Sequence, residues 1–123
     1  FRNVHSWLRA DQAEMMFSAI AETLKPGGVL GIVQHRGDEG LSVDEMKSSA
    51  YVTESKVIEL AELAGLELDG RSEINANAKD TKDYPQGVWT LPPTLTEGDV
   101  DRARFVSIGE SDRMTLRFVK PAE

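Results

Sequence analysis

The sequence predicts an α/β domain, and three observations predict it. A helix-length run with apolar residues at steps of three and four ends on Pro26-Gly27-Gly28. A short apolar run, Val29-Leu30-Gly31-Ile32-Val33, follows at once. The same helix-then-strand order returns, more weakly, between Thr53 and Asp69. At 123 residues the chain is one domain at most, since domains run to roughly 100–200 residues.

Asp11 and Glu14 have capping-box spacing, with Asp in place of Ser or Thr, so a helix is expected from Asp11. Ala13, Phe17, Ile20 and Leu24 fall on one face of it. Lys25 in the last turn suits the helix dipole. Pro26 cannot continue the helix, and glycine tolerates a left-handed exit. The run Val29–Val33 is apolar on both alternating faces, which suits a strand covered on both sides, as in a parallel sheet. Gln34, His35, Arg36 and Gly37 then turn polar. Ligands of open α/β sheets lie beyond the carboxyl ends of the strands, and His35 and Arg36 fall there.

Thr53 is a candidate cap for a second helix, with Val57, Leu60, Ala61 and Ala64 on one face and Gly65 as the stop. Leu66–Asp69 begins a strand with room to run through Ile74. Residues 75–99 read as a long irregular stretch, and such loops are usually lids, binding segments or disordered. Tyr84 and Trp89 argue against plain disorder. A short helix is expected from about Asp99 to Ile108. Met114, Leu116 and Phe118 alternate with Thr115, Arg117 and Val119 in a strand that Pro121 closes. A β-α-β order needs a strand before the first helix. "FRNVHSW", residues 1–7, is therefore expected to be the loop leaving such a strand at the ligand crevice.

The formal net charge of −7 argues against nucleic acid, which demands a basic face, and against anionic membrane surfaces. No apolar run approaches the roughly 18 residues of a membrane span. There are no cysteines, hence no disulfide framework and no Cys-based metal site. No metal is expected. Zero cysteine fits the cytoplasm, the favoured compartment, and the periplasm alike.

The tract "FRNVHSWLRADQAEMMFSAIAETLKPGGVLGIVQH" resembles the second half of class I S-adenosylmethionine-dependent methyltransferases. There a helix ending in Leu-Lys-Pro-Gly-Gly leads into the fifth strand, and Leu24–Gly28 match it letter for letter. Arg2-Asn3-Val4 is similar to the tract after the fourth strand in the ubiquinone/menaquinone C-methylase group. "ESKVIELAELAGLEL" is similar to the next helix and sixth strand, and "DRMTLRFVKP" to the seventh, antiparallel strand. With "EINANAKDTKDYPQGVWTLPP" added, essentially the whole chain resembles a bacterial group of predicted methyltransferases.

The resemblance implies a Rossmann-like methyltransferase fold, truncated to its fifth to seventh strands with flanking helices, the last strand antiparallel. It implies S-adenosylmethionine as cofactor and a small or medium acceptor as substrate. The family's glycine-rich loop and its ribose-binding acidic residue have no match here, so the chain is expected to be the carboxyl-terminal half of such an enzyme. The strand at Val29–Val33 would then lack a neighbour, and an open apolar edge is a template for self-association, a homodimer included. The alternative is a catalytically silent α/β interaction module. A nicotinamide-dependent enzyme is disfavoured by the final strand.

Each candidate site residue has a structural alternative. Arg2 and Asn3 are expected at the cofactor, or else satisfy backbone groups in a turn. Trp7 joins them, or staples the helix start. His35 and His5 are the candidate proton-transfer groups, having pKa values suited to it, or else are hydrogen-bonded and packed. Arg36, Tyr84, Trp89, Asp112 and Arg113 are the candidate acceptor contacts. The alternatives are an anchored loop for Tyr84 and Trp89, and an exposed ion pair for Asp112 and Arg113.

Overall fold

The computed structural model describes residues 3–121. Helices α1 (Val4–Arg9) and α2 (Ala13–Thr23) precede strand β1 (Val29–His35). Helices α3 (Val43–Ser49) and α4 (Glu54–Leu63) precede β2 (Glu67–Ser72). A 3-10 turn (Gly87–Thr90) and α5 (Arg102–Ile108) precede β3 (Arg113–Val119). The sheet order is β1-β3-β2, with β3 antiparallel to both neighbours. β1 and β2 thus point the same way, held apart by the strand furthest along the chain. The expected small α/β domain is present.

The pleat sends alternate residues to opposite faces. Leu30, Ile32, Met114, Leu116 and Phe118 face a core shared with Val4 and Leu8 of α1, Phe17 of α2 and Leu60 of α4. Their neighbours face outward: Val29 is 53 % exposed, against 3 % for Leu30. The expectation that β1 is covered on both sides, in a parallel sheet, is therefore corrected. Its partner is antiparallel, and α1, α2 and α4 share one core on one side.

Local chemistry explains most element ends. Thr53 caps α4, its hydroxyl accepting from Lys56 N at 3.2 Å. The Asp11–Glu14 box does not form. Asp11 takes φ +56° in the turn between α1 and α2, its carboxylate pairs with Lys47 (2.7 Å), and Gln12 occupies the cap position. The capping box forms instead at Ser42 and Glu45, and opens α3. The helix of residues 4–9, expected as loop, is a further difference.

After α2, Gly28 N–H donates to Lys25 O at 2.7 Å across Pro26-Gly27, with Gly27 at φ +83°, the turn geometry that calls for glycine. Lys25 does not cap α2. Lys120, just past β3, donates through Nζ to the carbonyls of Ala21 and Leu24, each at 2.8 Å. β2 stops at Ser72, short of Ile74, after a register shift between Leu68 and Gly70. α5 starts at Arg102.

Residues 75–99 are packed rather than loose. Tyr51, Ala50 and Val88 form one small apolar cluster, and Tyr84, Leu91 and Phe105 another. The first depends on Gly87, at φ +57°, where an added Cβ would collide with the Ser49 backbone, 2.6 Å from its Cα. Gly87→Ala should therefore undock the 3-10 turn from the end of α3 and cost about 1–3 kcal/mol. Urea unfolding measures the loss, and an unchanged midpoint would contradict the packing described. Among the described residues no helix is long and apolar enough to cross a membrane.

Candidate functional site

The carboxyl end of β1 opens into a cleft of about 340 Å³. His35 ends the strand and lines it. Register pairs His35 with Arg113 at the start of β3, which draws Arg113, Ser111 and Glu110 into the same wall. The opposite wall comes from Val88 and Trp89 of the 3-10 turn, with Pro92, Pro93 and Thr94. Of the expected site residues, His35, Trp89 and Arg113 meet here.

His35 is held by Ser111, whose Oγ lies 2.5 Å from Nδ1. Ser111 is 5 % exposed, so this contact is sheltered from water. His5, on α1, stands beside it with ring centroids 5.3 Å apart. The buried Gln34 ties His5 to the fold. Its Oε1 accepts from His5 N at 3.3 Å, and its amide also meets His5 Nδ1. Its Nε2 donates to Ala50 O at 3.1 Å. Burial lowers the His5 pKa, with Arg9 adding to this and the Gln34 contact opposing it. His5 is therefore held toward its neutral form, able to accept a proton.

Trp89 is fixed by its neighbours. The Arg9 guanidinium lies 4.9 Å from its ring centroid and is itself anchored on Lys47 O at 2.9 and 3.2 Å. Thr96 donates to the Trp89 carbonyl through both its N–H and its hydroxyl, each at 2.9 Å. Arg113 pairs with Glu110 within its own wall, and its Nε is buried without a hydrogen-bond partner.

No protein-family model and no curated protein matches this sequence.

The other expected residues go elsewhere. Strand alternation takes Arg36 away from the cleft side of His35. Its guanidinium forks onto Asp112, with Nε–Oδ2 and Nη2–Oδ1 both 2.9 Å, and reaches Glu54 and Glu73 through Nη1 at 3.1 and 2.8 Å. Those partners, Asp112 first, raise its pKa further. Asp112 is 5 % exposed and also takes Lys82 Nζ at 3.0 Å and Asn77 N–H at 2.8 Å. Arg36 and Asp112 are thus joined in one internal ionic network. Beside it, Tyr51 donates its hydroxyl to Asp80 at 2.9 Å; burial first, then Asp80, raises the tyrosine pKa.

Tyr84 is buried, edge-on to Phe105 with centroids 5.8 Å apart, and its hydroxyl accepts from Thr81 N. Trp7 packs edge-on to Phe17 at 5.8 Å. Asn3 precedes α1 as an exposed cap position without a side-chain bond. Arg2 lies outside the described residues. Among the described residues no three His, Asp or Glu side chains converge as a metal site would require. Gln34, Ser111, Glu110 and Arg9 belong to the site and were not expected from sequence.

Proposed function

We propose that this chain supplies the acceptor side of an S-adenosylmethionine-dependent methyltransferase with a Rossmann-like fold, acting on a small or medium acceptor. The observation that carries the proposal is the sheet: β3 runs antiparallel between β1 and β2, with His35 at the carboxyl end of β1 in the cleft. The helix-Pro-Gly-Gly-strand tract on which the resemblance rests is the α2–β1 connection.

No glycine-rich turn borders the cleft among the described residues, so these residues do not fit the amino-acid end of the cofactor, and no step is assigned through it. When bound, the cofactor supplies an electrophilic methyl group. The part of this chain is orientation, exclusion of water and proton removal. Trp89 and the prolines wall the acceptor from solvent. Holding the acceptor in line converts an encounter into a near-unimolecular event. His35, steadied by Ser111, takes the acceptor's proton where an oxygen or nitrogen is methylated.

The test is transfer of a radiolabelled methyl group from S-adenosylmethionine to small molecules of a cell extract by the enzyme in which this chain is joined to a cofactor-binding half, the chain alone being expected to be inactive. His35→Ala should slow labelling by about 10²-fold, the low end for a lost general base. Trp89→Ala should weaken acceptor use more than cofactor binding. Absence of any labelled product rejects the proposal and returns the chain to a catalytically silent module.

A further inference from the structure

The two walls of the cleft differ in kind, and that difference selects a ligand. One wall carries the Trp89 indole and the rings of Pro92 and Pro93, with Val88 and Thr94 beside them. The other is polar: His35, Ser111 and Arg113. We infer that the cleft takes a single flat aromatic ring with an uncharged hydroxyl on its edge, the ring against Trp89 and the hydroxyl toward the His35 wall. This deepens the methyl-transfer reading and rests on it for the ring's role as acceptor.

Two features favour an aromatic ring over an aliphatic ligand of equal size, in a cleft whose volume already selects a small ligand. The cleft, at about 340 Å³, lies at the small end of ligand pockets, which run to roughly 300–1,000 Å³. The indole is immobilised before any ligand arrives. Arg9 packs on its ring and is itself held by Lys47 O, and Thr96 holds its carbonyl. A platform already fixed loses little side-chain freedom on binding. Finally, an offset ring stack gains from the quadrupoles of both rings, which a saturated ring of the same outline lacks.

The polar wall sets the substituent. Arg113 pairs with Glu110, so the wall carries both signs and gives no surplus charge to a carboxylate or phosphate. A neutral hydroxyl both donates and accepts, and meets a wall of mixed donors and acceptors on equal terms.

The probe is phenol, with cyclohexanol and benzoate as controls, titrated against the protein without cofactor. Amide and indole N–H shifts are followed by NMR. Phenol should produce saturable shifts at Trp89, Ser111 and Arg113, while cyclohexanol binds roughly 3–10-fold more weakly. Benzoate should not exceed phenol. Trp89→Leu should remove the preference for phenol and Trp89→Phe should keep it. If Trp89→Leu fails to fold, the contrast between phenol and cyclohexanol on the wild-type protein decides alone. Equal affinity for phenol and cyclohexanol, tighter benzoate, or shifts confined to other surfaces would overturn the inference. Ring binding at the cleft without any methyl transfer upholds it and rejects the enzymatic reading. Methyl transfer confined to non-aromatic acceptors does the reverse.

Discussion

Asp112→Ala should destabilise the protein by about 3–5 kcal/mol, the usual cost of removing one partner from a buried ion pair. Asp112 is 5 % exposed and gathers the Arg36 fork, the Lys82 ammonium and the Asn77 N–H on its two oxygens. Without it, Arg36 keeps Glu54 and Glu73, but the fork and the Asn77 N–H lose their acceptor. Urea unfolding with an unchanged m-value measures the loss. A change below about 1 kcal/mol would mean that water or Glu73 replaces the carboxylate at little cost.

The same residue gives the pH dependence its sign. Burial pushes the Asp112 carboxyl up, but Arg36, the Asn77 N–H and Lys82 outweigh it and hold the pKa at about 2. An unfolded aspartate titrates near 3.9. A group with a depressed folded pKa stabilises fully above the unfolded value, and that contribution fades as pH falls towards the folded one. Wild-type stability should therefore drop between about pH 5 and pH 2, and Asp112→Ala should drop less over the same window.

Phe17→Ala should cost about 3–5 kcal/mol, the range for emptying a buried phenylalanine site. Phe17 is fully buried beneath the sheet and meets Trp7 edge to face. The vacated space lies between α2 and α1, so α1 loses its aromatic contact with α2. His5 sits on that same helix, and its contact with Gln34 should loosen along with it. Thermal melting reads the stability, and a red shift of Trp7 emission reads the loosened helix. A small loss with unshifted emission would indicate that Trp7 collapses into the gap.

The α2–turn–β1 unit was legible because its signals are local: a 3.6-residue apolar period, then Pro-Gly-Gly, then a short apolar run. Thr53 was legible for the same reason. The Asp11–Glu14 spacing misled because a capping box states only that a bond is available. The chain spends Asp11 on a left-handed turn between two helices, one of which, residues 4–9, is too short to show a period. The true box at Ser42–Glu45 carried the standard signature and was there to be read.

His35 was legible as the polar residue closing an apolar run, and Trp89 as an aromatic in a segment too long to be a plain connection. Ser111 and Glu110 were not. Ser111 reaches His35, and Glu110 the same wall, only through the register of β1 against β3, which no local pattern encodes. For Arg36 and Asp112, sequence offered a charge beyond a strand and a charge before another. That they find each other inside the fold is a fact of tertiary pairing, and it turns two candidate contacts into a clasp between β1 and the approach to β3.

The order β1-β3-β2 also bears on how the chain gets there. β1 and β2 each pair with β3, so during synthesis both lie without that partner until residues 113–119 emerge, and α2 lacks the lysine that caps its carbonyls until residue 120 follows. Closure of contacts this distant in sequence is entropically slow. We expect folding to be limited by the docking of β3. Leu116→Ala and Phe118→Ala should then slow refolding, while Thr53→Ala, at the start of α4, should mainly speed unfolding. Stopped-flow chevrons would decide, and refolding slowed chiefly by the helix-cap change would reject that order of events. Until residues 113–119 emerge, a nascent chain of this topology is open on β3's side of both strands, which makes that interval its window of greatest aggregation risk.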